Sequence, residues 1–343
     1  MQEKEKKKNH FLDLLKGIAC IGVVFGHALF PGQFGYFVLT AATGMVPIFF
    51  LISGYYSYQA SQEKLLLKTK RKEKHIAMIT GGVLGLYLLW MLLRVLLRKK
   101  AFSTIVHVIN VRSVVKFLVL NDTTMFDGGH LWFLLALLYC YIALYIIGRF
   151  QLMKFTYPVI AIAFVLRIFA VSCGNWHYSQ NFWVDGFPYF FLGYYLREHS
   201  ERYAKVKSNL CVGLAIGGFL FSEIANMGGV FPFRLNIYEI GTILMAISLF
   251  VYAIKNPEIG ENSFLEKIGR NYSMFVYIVH VIVLQAITDY EGIILKSIPT
   301  WYLWIKPILV VCLTLLLAML FDKRKGVYRK LFHLYEYNSV YGL

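Results

Sequence analysis

Residues 12–27 read LDLLKGIACIGVVFGH, an apolar run that opens with an acid and a base and closes with a histidine. On an α-helix, successive residues turn by about 100° and rise about 1.5 Å, so Lys16 and His27 fall within about 20° of one face and roughly 16 Å apart. Asp13, Lys16, Cys20 and His27 therefore form one stripe. Gly22 and Gly26 lie on another face, at the small-xxx-small spacing that lets a neighbouring helix approach closely. The expectation is a helix that packs on one side and presents His27 on the other. Polar groups at membrane depth are costly unless they face a bundle interior or a wet cavity, which makes them functional candidates. The plainer reading is a structural hydrogen bond for His27 and an interfacial ion pair for Asp13 and Lys16, which sit at neighbour spacing on a helix.

The whole chain fixes the class. Its 343 residues are 58% hydrophobic, 17% aromatic and only 16% charged, with a mean hydropathy of +0.58, which is the composition of an all-α polytopic membrane bundle. The net charge of +16 does not point to nucleic acid, because the basic residues sit between apolar runs, where they report topology. Cys20, Cys140, Cys173, Cys211 and Cys312 are scattered, without the paired spacing of a disulfide framework or a zinc site. No metal is expected. The amino terminus, MQEKEKKKNH, could open a signal peptide, but the following run carries Asp13 and Lys16 and no clean cleavage site follows, so it reads as a retained first span.

Spans of about 17 to 25 apolar residues fall near 11–30, 36–58, 76–97, 129–148, 156–172, 182–196, 209–225, 237–254, 271–288 and 301–321. Ten spans put both ends on one side. Assigning the termini and the segments 59–75, 149–155, 197–208 and 255–270 to the cytoplasm places 24 of the 35 Lys and Arg residues there, as the positive-inside rule requires. Arg98, Lys99 and Lys100 are the exception. They precede Phe102 to Leu120, where Ser103, His107 and Asn110 recur at helical spacing, so an amphipathic helix on the outer surface is expected there. An eleventh span at this place would invert every later loop. Residues 1–343 read as a single membrane domain with a short basic cytoplasmic tail, 322–343, whose basic and aromatic mix suits a lipid surface.

Further groups lie along the spans. In VPIFFLISGY, residues 46–55, Pro47 and the pair Ser53 and Gly54 can break the helix and expose backbone; a packed kink is the plainer reading. The loop that follows, EKLLLKTKRKEKH at 63–75, is the densest cationic cluster. Ordinary positive-inside charge explains most of it, although a cytosolic polyphosphate would find its counter-charge there. The fourth span opens with Asp127, His130 and Trp132; Trp132 alone reads as part of an interfacial aromatic belt. In the ninth, Ser273, Tyr277 and His280 share a face. Arg167, Glu223 and Glu239 each need a partner.

Taken in order, DLLKGIACIGVVFGH, FFLISGY, the basic loop, GGHLWFLLALLYCY and YSMFVYIVH resemble the membrane acyltransferase 3 family, ten-span enzymes that O-acylate bacterial surface glycans and related acceptors. The resemblance runs from Asp13 to His280, and it rests on the ordered set, since no one motif is specific. The family's basic residue eleven positions before the first-span histidine is Lys16 here, where arginine is commoner. Its cytoplasmic basic pair corresponds to Arg71 with Lys74, or to Lys72 with His75.

The resemblance implies acyl-coenzyme A as donor, most often acetyl-coenzyme A. It would dock on Arg71, Lys72 and Lys74 beside Ser53 and Gly54, with an acceptor hydroxyl arriving from outside. The chemistry needs a base for a weak nucleophile, or a side chain that takes the acyl group first; imidazole serves either way. His27 is the expected centre, supported by Lys16, Asp13, His130, Trp132, Tyr277 and His280. Expected partners are membrane lipid, the donor, an extracytoplasmic glycan or other hydroxyl acceptor, and a separate extracytoplasmic transferase in place of the external domain that many relatives carry. The competing reading is a transporter of a small polar substrate such as an amino acid, which inverted repeats would favour; none is visible. A sensor without chemistry is a third.

Overall fold

The structure, a computed structural model, describes residues 8–98, 109–228, 236–295 and 297–322. In order, α1 (His10–His27), α2 (Gly32–Thr43) and α3 (Met45–Ser57) precede α4 (Gln62–Leu97), α5 (Val111–Leu120), α6 (Trp132–Arg149), α7 (Met153–Ser172) and α8 (Phe187–Glu198). Then come α9 (Ser208–Gly228), α10 (Tyr238–Lys255), α11 (Phe264–Asn271), α12 (Ser273–Ile294) and α13 (Thr300–Asp322). Among the described residues there is no strand, and 9 segments are long and apolar enough to cross a membrane, with α2 and α3 counted together. The protein is a polytopic helical bundle. The remaining expected span, 182–196, is helical too, a π turn, Phe182–Gly186, running directly into α8, and it falls just short of the length of those nine.

The chain divides into two compact units. Unit 1 holds α1, α2, α3 as far as Ile52, and α9 to α13; unit 2 holds the rest of α3 and α4 to α8.

In unit 1, Asn9 caps α1 by accepting from the Leu12 N–H at 2.9 Å, which satisfies one of the four open donors of a helix start. Gly22 then lies against the Met45 side chain and Gly26 against the Ala42 Cβ, so the glycine face packs on α2 and α3 as the spacing predicts. On another side α11 crosses α1 closely. A Cβ on Gly17 would overlap the Leu265 carbonyl, and one on Gly269 the Asp13 carbonyl. A core of Cys20, Val24 and Ala28 from α1, Val276 and Val283 from α12, and Val310, Val311 and Leu315 from α13 closes around the end of α1.

The break between α2 and α3 follows from Pro47. Proline has no N–H, so the Thr43 carbonyl four residues earlier loses its helical partner, and α2 ends at Thr43. Ser53 and Gly54 do not interrupt α3.

In unit 2, α4 has 36 residues, about 54 Å, well beyond a hydrocarbon core of about 30 Å. The basic stretch at 63–75 is therefore a helix and not a loop. Glu, Leu and Lys are strong helix formers, no Gly or Pro interrupts them, and the Ser61 side chain caps the start. Of the expected surface helix, the described part is α5. Asn110 caps α5 by accepting from the Ser113 N–H at 3.0 Å, and no residue of α5 is buried. Residues 99–108, which include Ser103 and His107, lie outside the described residues, as does the tail beyond Asp322.

Arg167 finds its partner in Asp185 of the π turn, at 2.9 Å with both side chains almost fully buried. It also donates to the Ser179 carbonyl at 3.1 Å and lies over the Tyr189 ring at 5.7 Å. Glu223 and Glu239 are buried in unit 1.

Candidate acyl-transfer site

His27 is the last residue of α1, and its side chain is exposed. His280 lies in the middle of α12 at 0% exposure. The shared α1, α12 and α13 core sets the two rings beside each other, with centroids 5.2 Å apart and planes at 48°. His280 Nδ1 lies 2.9 Å from the Val276 carbonyl oxygen one turn back. Tyr277 is the next ring, 6.4 Å from His280. Ser273, on the same face, donates instead to the Gly269 carbonyl at 2.8 Å.

Asp13 and Lys16 pair with each other at 2.9 Å, largely sheltered, near the start of α1. They share the His27 face of the helix but lie roughly 16 Å (Lys16) and roughly 21 Å (Asp13) along it. Close to that end, among the described residues, His10, Glu258 and Glu261 bring ligand atoms within 4.8 Å of one another; this cluster is remote from His27 along α1.

The remaining candidates belong to unit 2. His130 is buried and its Nε2 is 3.2 Å from the Tyr87 hydroxyl, in a tight turn that immediately precedes α6. Trp132, the first residue of α6, is 5% exposed, so it is a core residue of its unit and not a lipid-facing belt. Asp127 pairs with Arg94. Tyr87 is fully buried and was not visible as a site residue, since a tyrosine in an apolar run carries no distinguishing signal. On α4, Lys64, Lys70, Arg71 and Lys74 are exposed, Lys68 and Lys72 are half-buried and His75 is buried. Of the two basic pairs, Arg71 with Lys74 thus faces outward, and Lys72 with His75 faces the packed side. Gly54 lies against the Phe190 carbonyl, where a Cβ would overlap, which gives it a packing role.

Unit 1 therefore offers one imidazole accessible at a helix end with a second, fully buried, behind it. That is the arrangement of a held base or nucleophile, in which one group fixes another that reacts. The family model of the acyltransferase domain matches residues 9–323. The chain belongs to the acyltransferase 3 family. No curated protein and no solved structure matches it. The acyltransferase 3 match takes in α1 through α13, so both the histidine pair of unit 1 and the basic start of α4 in unit 2 fall inside it. This is a membrane acyltransferase.

Proposed function

We propose that this acyltransferase moves an acyl group, acetyl first among them, from cytoplasmic acyl-coenzyme A to a hydroxyl of an extracytoplasmic glycan or other cell-surface acceptor. It does so in the cell membrane with both termini cytoplasmic. The observation that supports this reading best is the exposed His27 imidazole at the end of a membrane helix, backed by His280.

His27 takes the proton from the acceptor hydroxyl as its oxygen attacks the thioester carbonyl, or it receives the acyl group first and passes it on. In either course the C–S bond of the donor breaks, a C–O bond to the acceptor forms, and the proton leaves on the coenzyme thiolate. Arg71, Lys72 and Lys74 meet the donor phosphates through charge-assisted contacts, and the thioester has to reach His27. Tyr277 lines the His280 side of the pair. Lys16 and Asp13 lie farther along the same helix, and His130 and Trp132 belong to unit 2. No metal enters the reaction.

The test is the O-acetyl content of surface glycans in cells with and without the protein, beside transfer of labelled acetyl from acetyl-coenzyme A by their membranes. Loss of the glycan acetate together with the transfer is expected. Unchanged glycan acetate with uptake of a small polar solute lost would favour a transporter instead. In the membrane assay, Arg71→Ala with Lys74→Ala should raise the KM for the donor and flatten its salt dependence.

A further inference from the structure

The His280 ring has a defined hydrogen-bond polarity. A carbonyl oxygen accepts and cannot donate, so the 2.9 Å contact between His280 Nδ1 and the Val276 oxygen places the ring hydrogen on Nδ1. In a neutral imidazole the other nitrogen is then an acceptor. The contact is local, from a residue to the carbonyl one turn before it, so α12 itself sets this tautomer.

The ring beside that acceptor is His27, with centroids 5.2 Å apart. An imidazole nitrogen lies roughly 1.2 Å from its ring centre, so an N–H···N bond of about 2.9 Å puts two ring centres about 5 Å apart. The observed spacing is close to that of a direct bond, although the structure shows none at His280 Nε2, so the rings have to close slightly to form it. His280 has 0% exposure and its helix contributes Val276 and Val283 to the core that also holds Val24 and Ala28 on either side of His27. The buried His280 ring cannot turn away without opening that core.

Resting on the acyl-transfer reading of His27, we propose that His280 is a positioning residue: during transfer its Nε2 accepts a hydrogen from a His27 ring N–H and leaves the second His27 nitrogen to meet the acceptor hydroxyl or the acyl group. During transfer, when His27 holds the acceptor's proton or the acyl group, the positive charge on its ring is met by the His280 acceptor nitrogen. The proton shared between the two rings stays with His27, so no net transfer to His280 is required. This is the logic of a base oriented by a third group, built here from two histidines.

The experiment uses full-length protein in inside-out membrane vesicles from the producing cells, with labelled acetyl-coenzyme A and the native surface glycan as acceptor. Rates are normalised to correctly folded protein. Four variants are compared with wild type: His27→Ala, His280→Ala, His280→Leu and His280→Gln. Glutamine carries an amide oxygen at about the reach of Nε2, whereas leucine keeps volume without an acceptor. The expected result is a kcat lowered about 100-fold in His280→Leu and His280→Ala, with the donor KM unchanged, and a recovery of at least about tenfold in His280→Gln.

A structural role would lower the folded amount in all three alike and leave kcat per folded molecule near wild type. That outcome, or glutamine no better than leucine, overturns the proposal. If His27→Ala transfers normally, the acyl-transfer reading of His27 falls and this proposal falls with it. If His27→Ala is dead and His280→Leu is not, the positioning role alone is wrong. A reading on wild-type protein needs no variant: 15N spectra of histidine-labelled protein should contain a buried Nδ1–H tautomer, and finding every histidine as the Nε2–H form would refute the proposal.

Discussion

His27 and His280 stand with ring centroids 5.2 Å apart, although one ends the first helix of the chain and the other lies in the middle of α12. The pair exists only once unit 1 has folded, because it depends on the core that α1, α12 and α13 share. An isolated membrane histidine is commonly a hydrogen-bonder. An exposed one packed against a buried one is restricted in orientation, and restricted orientation favours transfer.

The Arg167 to Asp185 pair, 2.9 Å apart with both side chains nearly inaccessible, should act through whichever partner is left behind. Removing one member of a buried pair costs about 3–5 kcal/mol, whereas replacing both by apolar residues of similar volume is often neutral. Arg167→Ala should therefore lower the midpoint of thermal unfolding in detergent sharply, and Arg167→Met with Asp185→Leu should recover most of it. Equal losses in the single and double variants would show that the pair is not what stabilises the π turn.

Close approach of α1 and α11 should make Gly269 intolerant. A side chain there would meet the Asp13 carbonyl, and overpacking costs about 1–3 kcal/mol or more. Gly269→Val should reduce the yield of folded protein, while Gly81→Ala in α4, with nothing within 4 Å of the new methyl, should not. The readout is the monodisperse fraction on size exclusion, and comparable yields would place α11 elsewhere.

Acid should loosen the start of α1. Glu266, fully buried in α11, receives Lys8 at 2.8 Å, His10 at 2.9 Å and Arg270 at 3.1 Å. Burial pushes its carboxyl up, but the Lys8 and His10 hydrogen bonds and the Arg270 charge outweigh burial and hold it at about 2, below the usual 4.5. A depressed carboxyl stabilises the fold above its unfolded value and loses that contribution as pH falls through the folded one. Between about pH 4.5 and 2, wild type should thus lose more thermal stability than Glu266→Gln. Parallel curves for the two proteins would contradict the role of this cluster.

Topology can be read by labelling. If both termini and the start of α4 are cytoplasmic, a cysteine at Lys70 should resist an impermeant thiol reagent in intact cells and react once the membrane is opened. Strong labelling of intact cells would reverse the assignment.

Much of this architecture is legible in the sequence because lipid imposes long apolar runs and helical periodicity on it. The face of α1 that carries Gly22 and Gly26 follows from local spacing, whereas Pro47, where a packed kink is the plainer reading, ends α2 outright. Where charge and helix propensity conflict, charge misleads: the run at 63–75 looks like a loop, yet its Lys, Glu and Leu residues continue α4. Asn110 reads as part of a helical face but acts as a cap, since a cap and a polar face share the same residue types. The segment at 182–196 is helical as its apolar run suggests, but its first turn is a π turn capped by Asn181, which no periodicity announces. His27 and His280 are each visible as candidates, while their partnership is not, because it is made by packing between helices far apart in the chain. Lys8, His10 and Glu266 likewise meet only through the crossing of α1 and α11.

Acyl transfer by this protein should depend on the His27 imidazole itself. The direct measurement is labelled acetyl moved from acetyl-coenzyme A to surface glycan, per folded molecule, by wild type, His27→Ala and His27→Gln. Loss of a positioned base costs about 100-fold to 10,000-fold, so both variants should insert, fold and bind the donor yet transfer almost nothing. Glutamine should fail as completely as alanine, since it keeps polarity without a titrating base. Near-normal transfer by His27→Ala would contradict the account and move the search for the catalytic group to His280 or His130.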